Sequence, residues 1–421
     1  MPRLIHDKTT WFTYAQLGLW GFFLYGFGPV VPLLRDEQGT SAAVAGLHST
    51  GIAVGALLGG ALFAPVARRL GRGPTIWLGL AGVAAGVAAL GLLRPLPATL
   101  AAVAVIATFG MLVVSGVNVV LTTHHGPAAP AALTEANAAC AGMGILAPLV
   151  IGAAVNSGHG WRPVMAVEVG LIALVAVAAL AFRVRLPKTF PAAAAAGGPA
   201  AGAPAEVTAA ASAATRAAHR LPRAYWIAWV LMSATGSIEV CLSLWTADVL
   251  RSHAGLGAGS ASAAVAAIVG GMFVGRLAGG RFALRWPPVP LLLGALTVSL
   301  AGFALFWTAP IGWLAVTGLV VLGLGNALHY PLAISIALTV AGPAADKAAG
   351  WSSYSMGVGF GIAPVLLGWV ADGVGPHLAF LLLPGFLAAS ALLTLRLSRA
   401  LRAARPTTPA GGPVLSAPGR G

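Results

Sequence analysis

Apolar runs of about twenty residues, separated by short polar or basic connections, recur twelve times along the chain. They fall at 11–34, 42–63, 75–93, 98–123, 136–155 and 163–182, and again at 225–250, 260–277, 289–308, 311–340, 349–370 and 377–395. An α-helix rises 1.5 Å per residue, so a bilayer core of about 30 Å is crossed by roughly 20 residues. Lipid offers the backbone no hydrogen-bond partners, which a helix does not need. The runs are therefore predicted to be membrane-spanning helices. One stretch, 193–223, breaks the pattern: alanine, proline, glycine and a few basic residues replace the large apolar side chains. It cannot bury enough surface to fold alone and reads as a flexible tether that joins the halves without gating them. The expected organisation is a six-helix half at 1–190, a linker at 191–223, a second six-helix half at 224–398, and a disordered tail at 399–421.

The halves share one register. At a constant offset of 216 residues Arg35 falls on Arg251 and Gly39 on Gly255, while Gly55 and Gly59 fall on Gly271 and Gly275. The run Gly126-Pro127-Ala128-Ala129 falls on Gly342-Pro343-Ala344-Ala345, and Ala147-Pro148 with Gly152 falls on Ala363-Pro364 with Gly368. A four-residue run and an Ala-Pro-x-x-x-Gly at one offset point to two parallel copies.

Composition fixes the solvent: 58% of residues are hydrophobic and 8% charged, with mean hydropathy +0.89, where a soluble domain carries about a quarter charged residues. The net charge of +14 does not indicate nucleic acid, because the 24 Lys and Arg are spread over the connections instead of forming one basic face. All but four of them, Arg35, Arg94, Arg162 and Arg251, fall on one side of the twelve-span layout. The positive-inside rule then places both termini in the cytoplasm of a multi-pass plasma-membrane protein. No cleavable signal peptide is expected. Cys140 and Cys241 sit inside apolar runs and read as packing residues.

The connection after the second span, Ala64-Pro-Val-Ala-Arg68-Arg69-Leu-Gly71-Arg72-Gly73-Pro74, resembles the cytoplasmic loop motif of the major facilitator superfamily, roughly G-x-L-x-D-R-x-G-R-R. Arg69, Gly71 and Arg72 match; the leading glycine is Ala64 and the acidic position is Arg68. At the corresponding place in the second half, Gly275-Arg276-Leu-Ala-Gly279-Gly280-Arg281 resembles the family's eighth helix and following loop. Arg276 is expected near the cytoplasmic surface, its side chain snorkelling to phosphates, with a gating role as the alternative. The twelve spans, parallel repeat and central linker resemble this superfamily over nearly the whole chain. The resemblance implies an all-α integral membrane protein of two parallel-repeat six-helix bundles. The fifth span, Gly142-Met-Gly144-Ile-Leu-Ala147-Pro148-x-x-x-Gly152, loosely resembles the antiporter motif of proton-coupled exporters, with Ala-Pro in place of Gly-Pro. Small residues at such spacings also serve plain close packing of helices.

Charges within the spans are costly and need a reason. Glu239 stands well inside the seventh span, on a face shared with Thr235, Ser243 and Thr246. It is the first candidate for proton coupling; a hydrogen-bonded neutral acid is the structural alternative. Glu168, a turn and a half into the sixth span, is the second candidate, within expected reach of interfacial water. Glu135 opens the fifth span, where helix-end stabilisation accounts for it. By resemblance the first, fourth, seventh and tenth spans line a central cavity, and each carries a polar or aromatic face. These are Gln16, Trp20, Phe23 and Phe27; Met111, Ser115, Asn118 and Thr122; the Glu239 stripe; and Asn326, His329 and Tyr330. His48 and Tyr354 are further candidates.

The reading that follows is a secondary transporter of a small organic solute, working by alternating access as a monomer, proton-coupled and leaning to export. An uptake permease for a sugar-like or other neutral solute is the alternative, followed by an intramembrane enzyme or a channel. No H-E-x-x-H, G-x-S-x-G or GxxxxGK[ST] motif occurs, and His124-His125 are poorly spaced for two ligands from one helix face. Neither enzyme chemistry, metal nor cofactor is expected.

Overall fold

The computed structural model describes residues 4–184, 221–283, 285–341 and 345–403. Among them, twelve helices are long and apolar enough to cross a membrane. The first half contributes α1 (Lys8–Gln38), α2 (Ala42–Leu70), α3 (Arg72–Leu92), α4 (Leu96–His125), α5 (Ala129–Asn156) and α6 (Arg162–Ala181). The second contributes α7 (Arg223–Ser252), α8 (Ala258–Ala283), α9 (Pro288–Thr308), α10 (Gly312–Ala341), α11 (Ala345–Val374) and α12 (Leu382–Ala403). The linker expected at 191–223 lies outside the described residues except for 221–223, and so does the tail beyond 403.

The helix ends follow from local chemistry. The Asp7 carboxylate accepts the Thr10 backbone N–H at 2.9 Å and caps α1, and Gly39 ends it at φ +62°. Burial alone would raise the Asp7 carboxyl, but hydrogen bonds from Thr10 and His124 outweigh it and hold the group below its ordinary value. Ser41 caps α2 through the Val44 N–H. Gly71, at φ +89°, turns α2 directly into α3, a conformation that favours glycine and accounts for that position of the loop motif. Several helices overrun the predicted spans: α2 continues to Leu70 and α8 to Ala283, carrying arginines past the apolar run.

Within each half, successive spanning helices are joined by short connections and run antiparallel. The starts of α1 and α7 and the ends of α6 and α12 therefore share one face, the terminal end; the opposite face carries Arg35. The halves meet along α1–α7, α2–α11 and α5–α8. The 216-residue offset turns α2 into α8 and α5 into α11, so the last two contacts are repeat-equivalent.

At the Arg35 end the halves are closed. A Cβ on Gly28 would collide with the Ser243 carbonyl, and one on Gly152 with Gly259 and Ala263, so α1–α7 and α5–α8 touch backbone to backbone. The Ser49 hydroxyl donates to the Phe360 carbonyl, and Thr50 Oγ1 donates to the Gly361 carbonyl at 2.6 Å. The Asp372 carboxylate of α11 accepts the Ala42 and Ala43 N–H groups at 2.7 and 3.0 Å, capping α2 from across the interface.

Candidate functional site

Between the halves, from mid-membrane towards the terminal end, lies a cavity of about 610 Å³. Its walls are α5, through Asn137 and Ala138; α8, through Phe273 and Arg276; and α10, through Asn326, Tyr330 and Ser335. Glu239 of α7 is the deepest acid in it, at the middle of a thirty-residue helix. The same residue lines a second, small space of about 40 Å³ on the Arg35 side, among Tyr25, Phe27, Ile52, Ser243 and Phe360. Glu239 thus stands where the wide cavity ends and the closed packing begins.

Arg276 is the basic group of the cavity wall. Its guanidinium lies closest in interaction to Tyr25 on α1, with Glu239 on α7 and Cys140 on α5 also within electrostatic reach. One acid and one base, each half-buried, meet at the interface of the halves, surrounded by groups from four helices. A carboxyl group so placed has its protonation set by two opposed influences, the loss of water and the neighbouring positive charge.

The family model described as Major Facilitator Superfamily matches residues 17–349. The chain belongs to the major facilitator superfamily. A search of curated protein sequences gave no match. Among solved structures, a bacterial homologue of the human lysosomal transporter Spinster, inward-facing and unoccupied, superposes with a TM-score of 0.72 at 16% identity, covering 96% of this chain and 100% of that one. A mutant of the nucleoside transporter NupG gives 0.72 at 15% identity, covering 93% and 98%. A D-xylose–proton symporter gives 0.68 at 16%, covering 92% and 96%. At these identities the likeness is one of fold. It agrees with the family assignment: a multi-pass membrane transporter, not an enzyme.

Within this facilitator the predicted residues separate. Glu239, Asn326 and Tyr330 line the main cavity, and Phe27 and Ser243 line the small space. Thr235 is buried, bonded to the Met232 carbonyl, and Thr246 is buried in packing. On α1, Trp20, Phe23 and Phe27 form an aromatic column with centroids 5.9 and 5.3 Å apart, and Trp20 fills the notch left by Gly110 of α4. Gln16 is fully buried and neither end of its amide is hydrogen-bonded. Ser115 and Asn118 are half-buried on α4 and do not line the cavity, whose first-half wall is α5.

His329 turns away from the cavity, Nε2 lying 3.1 Å from Ser299 Oγ of α9. His48 joins the Ala45 carbonyl and Thr99 Oγ1, a brace between α2 and α4. Tyr354 is 53% exposed beside Trp351, away from the cavity. Glu168 is fully buried on α6 with neither oxygen hydrogen-bonded, so interfacial water does not reach it as the sequence suggested. Glu135 stands beyond the first turn of α5 and pairs with His6 at 2.6 Å instead of stabilising a helix end.

Of the loop motif, Arg69 is exposed, while Arg72 is buried and donates to Thr123 Oγ1 at 2.8 Å, tying the start of α3 to the end of α4. Arg276 leaves the surface role expected of it and joins Glu239 in the cavity wall. The sequence reading missed Tyr25, which interacts with Arg276, and Asn137, the second residue of the predicted fifth span.

Proposed function

We propose that the chain is a proton-coupled secondary transporter that moves a small organic solute by alternating access, with Glu239 as the coupling acid and Arg276 as its switchable partner. The observation that carries this reading is the position of Glu239, shared between a cavity reaching towards one end and a small space sealed from the other. Rocking the halves would open the small space and close the cavity, presenting the same carboxyl to the opposite side. Proton loss strengthens its attraction to Arg276; protonation frees the guanidinium for solute or for another partner.

The remaining lining, with Asn137, Asn326, Tyr330 and Ser335 between apolar side chains, suits a neutral or amphipathic solute bearing hydroxyl or amide groups. By the asymmetry of basic residues the terminal end faces the cytoplasm of the plasma membrane. Both walls of the cavity come from one chain, so the monomer is the working unit. Export is the favoured direction, on the likeness of α5 to the antiporter motif.

The test is transport in proteoliposomes, using a solute first found by its ability to raise the melting temperature of the purified protein. Glu239→Gln keeps hydrogen-bonding capacity and removes titration. It is expected to abolish accumulation driven by a pH gradient while counterflow persists. Accumulation that survives with unchanged pH dependence removes Glu239 from coupling.

A further inference from the structure

A second space of about 610 Å³ lies away from the transport cavity, on the first half, between α5 and α6 with α1 as its floor. It reaches from the terminal end to about the middle of α6. Ala15, Gly18, Ala139 and Gly142 keep it open, and Leu174 rims it at 63% exposure. Gly142, which the sequence suggested as a packing glycine, has nothing within 4 Å of where a Cβ would stand. Its volume is that of a ligand site. Ala138 lines both this groove and the central cavity, so a single small residue of α5 separates them.

The polar mouth of the groove indicates what fills it. Tyr14 is 4% exposed and lines the groove, its hydroxyl turned to the Glu135 carboxylate. That carboxylate lines the same mouth, with one oxygen held by His6 at 2.6 Å. An ionised carboxylate offers about four acceptor sites, so room remains for a further donor. An apolar trough that ends in a hydroxyl and an anion matches a chain with a cationic, hydrogen-bonding head.

We infer that this groove binds a single-chain amphiphile whose head carries a protonated amine, the alkyl chain lying along Gly142 and the ammonium at Glu135. The groove faces out of the first half, so the ligand arrives from the bilayer and not through the transport cavity.

The experiment uses the full chain in zwitterionic nanodiscs and an alkylamine with a diazirine in its chain, photolysed and mapped by peptide mass. Labelling is expected on the α1, α5 and α6 segments that border the groove. Unlabelled alkylamines of matched chain length should compete with the probe at equal mole fraction in the lipid. An alkyl sulfate of equal length should compete at least tenfold more weakly. Gly142→Leu is expected to fill the trough and cut labelling at least tenfold. Leu174→Trp fills it from α6 and serves should the first variant fail to fold. Glu135→Gln should erase the preference for the amine over the sulfate. Labelling spread over the lipid-facing helices, insensitive to both filling variants, or equal competition by amine and sulfate in the wild type, overturns the assignment.

Discussion

Arg35 and Asp248 join the two halves in a two-pronged ion pair, Nη1 to Oδ2 at 2.5 Å and Nη2 to Oδ1 at 3.0 Å. The first residue ends α1 and the second lies near the end of α7, with side-chain exposures of 18% and 5%. Arg251, the repeat partner of Arg35, reaches back to Asp36 at 2.8 Å. Each copy thus sends an arginine to an acid of the other, and the closed end is braced across its pseudo-symmetry axis.

Losing this pair is expected to loosen that end. Removing one partner of a buried ion pair costs about 3–5 kcal/mol, and the partial exposure of Arg35 lowers that to about 2 kcal/mol, a roughly thirtyfold shift in the open-to-closed ratio. In a Cys140→Ser, Cys241→Ala background, Ser243→Cys reports on the small space behind the pair. An impermeant thiol reagent added on the Arg35 side should label it slowly. Asp248→Asn should raise the rate about thirtyfold, and the swap of Arg35→Asp with Asp248→Arg should restore slow labelling. Equal rates in all three would remove the pair from the gate.

Asp372 offers a second test of the same end. It caps α2 from α11 and also lies within electrostatic reach of Arg35, and loss of a helix cap costs about 1 kcal/mol. Asp372→Ala is expected to raise Ser243→Cys labelling about fivefold by itself. If one rigid-body equilibrium governs both sites, the effects of Asp372→Ala and Asp248→Asn should accumulate, apart from the attraction that both acids have for Arg35. Labelling in the double variant no faster than in either single one would show that the two contacts do not share an equilibrium.

The twelve helices were legible because the bilayer makes length and polarity nearly decisive: each apolar run had to be a spanning helix. The meeting of Glu239 and Arg276 in one cavity wall was not. Arg276 stands next to a basic connection, which suggested the surface, but α8 continues to Ala283 and so holds it about 10 Å inside its own helix end. Helix rotation was also hidden. On α10, Asn326 and Tyr330 are four apart and share the cavity face, while His329, beside them in sequence, is directed to Ser299 on α9. On α4 the polar face was visible, but nothing in the sequence said that α5 would form that wall.

Steric closure gives a third prediction. Gly28 lies against the Ser243 backbone, and Gly152 against Gly259 of α8. Gly28→Leu and Gly152→Leu should each hold the Arg35 end apart, because the obstacle is backbone that cannot rotate away. Both variants are expected to insert and purify, to label rapidly at Ser243→Cys, and to lose transport at least tenfold. Normal turnover in either would show that the end closes without that contact.

The last prediction concerns Glu239 and Arg276 as a unit. If Arg276 acts only by balancing a charge, Arg276→Gln should leave Glu239 facing the cavity without its counter-ion, and the carboxyl should then hold its proton to higher pH. The pH at which gradient-driven transport falls to half should rise in Arg276→Gln. In Arg276→Lys, which keeps the positive charge but not the planar fork, it should stay close to the wild-type value. Adding Arg276→Gln to Glu239→Gln should cost little further, because the group that Arg276 balances no longer titrates; residues that interact directly are non-additive in this way. Counterflow, which needs the solute site but no net proton movement, separates this outcome from simple damage to the cavity and should fall less than accumulation in every variant. Full additivity of the two substitutions, with no displacement of the pH profile in Arg276→Gln, would mean that the two side chains share a cavity wall but not a function.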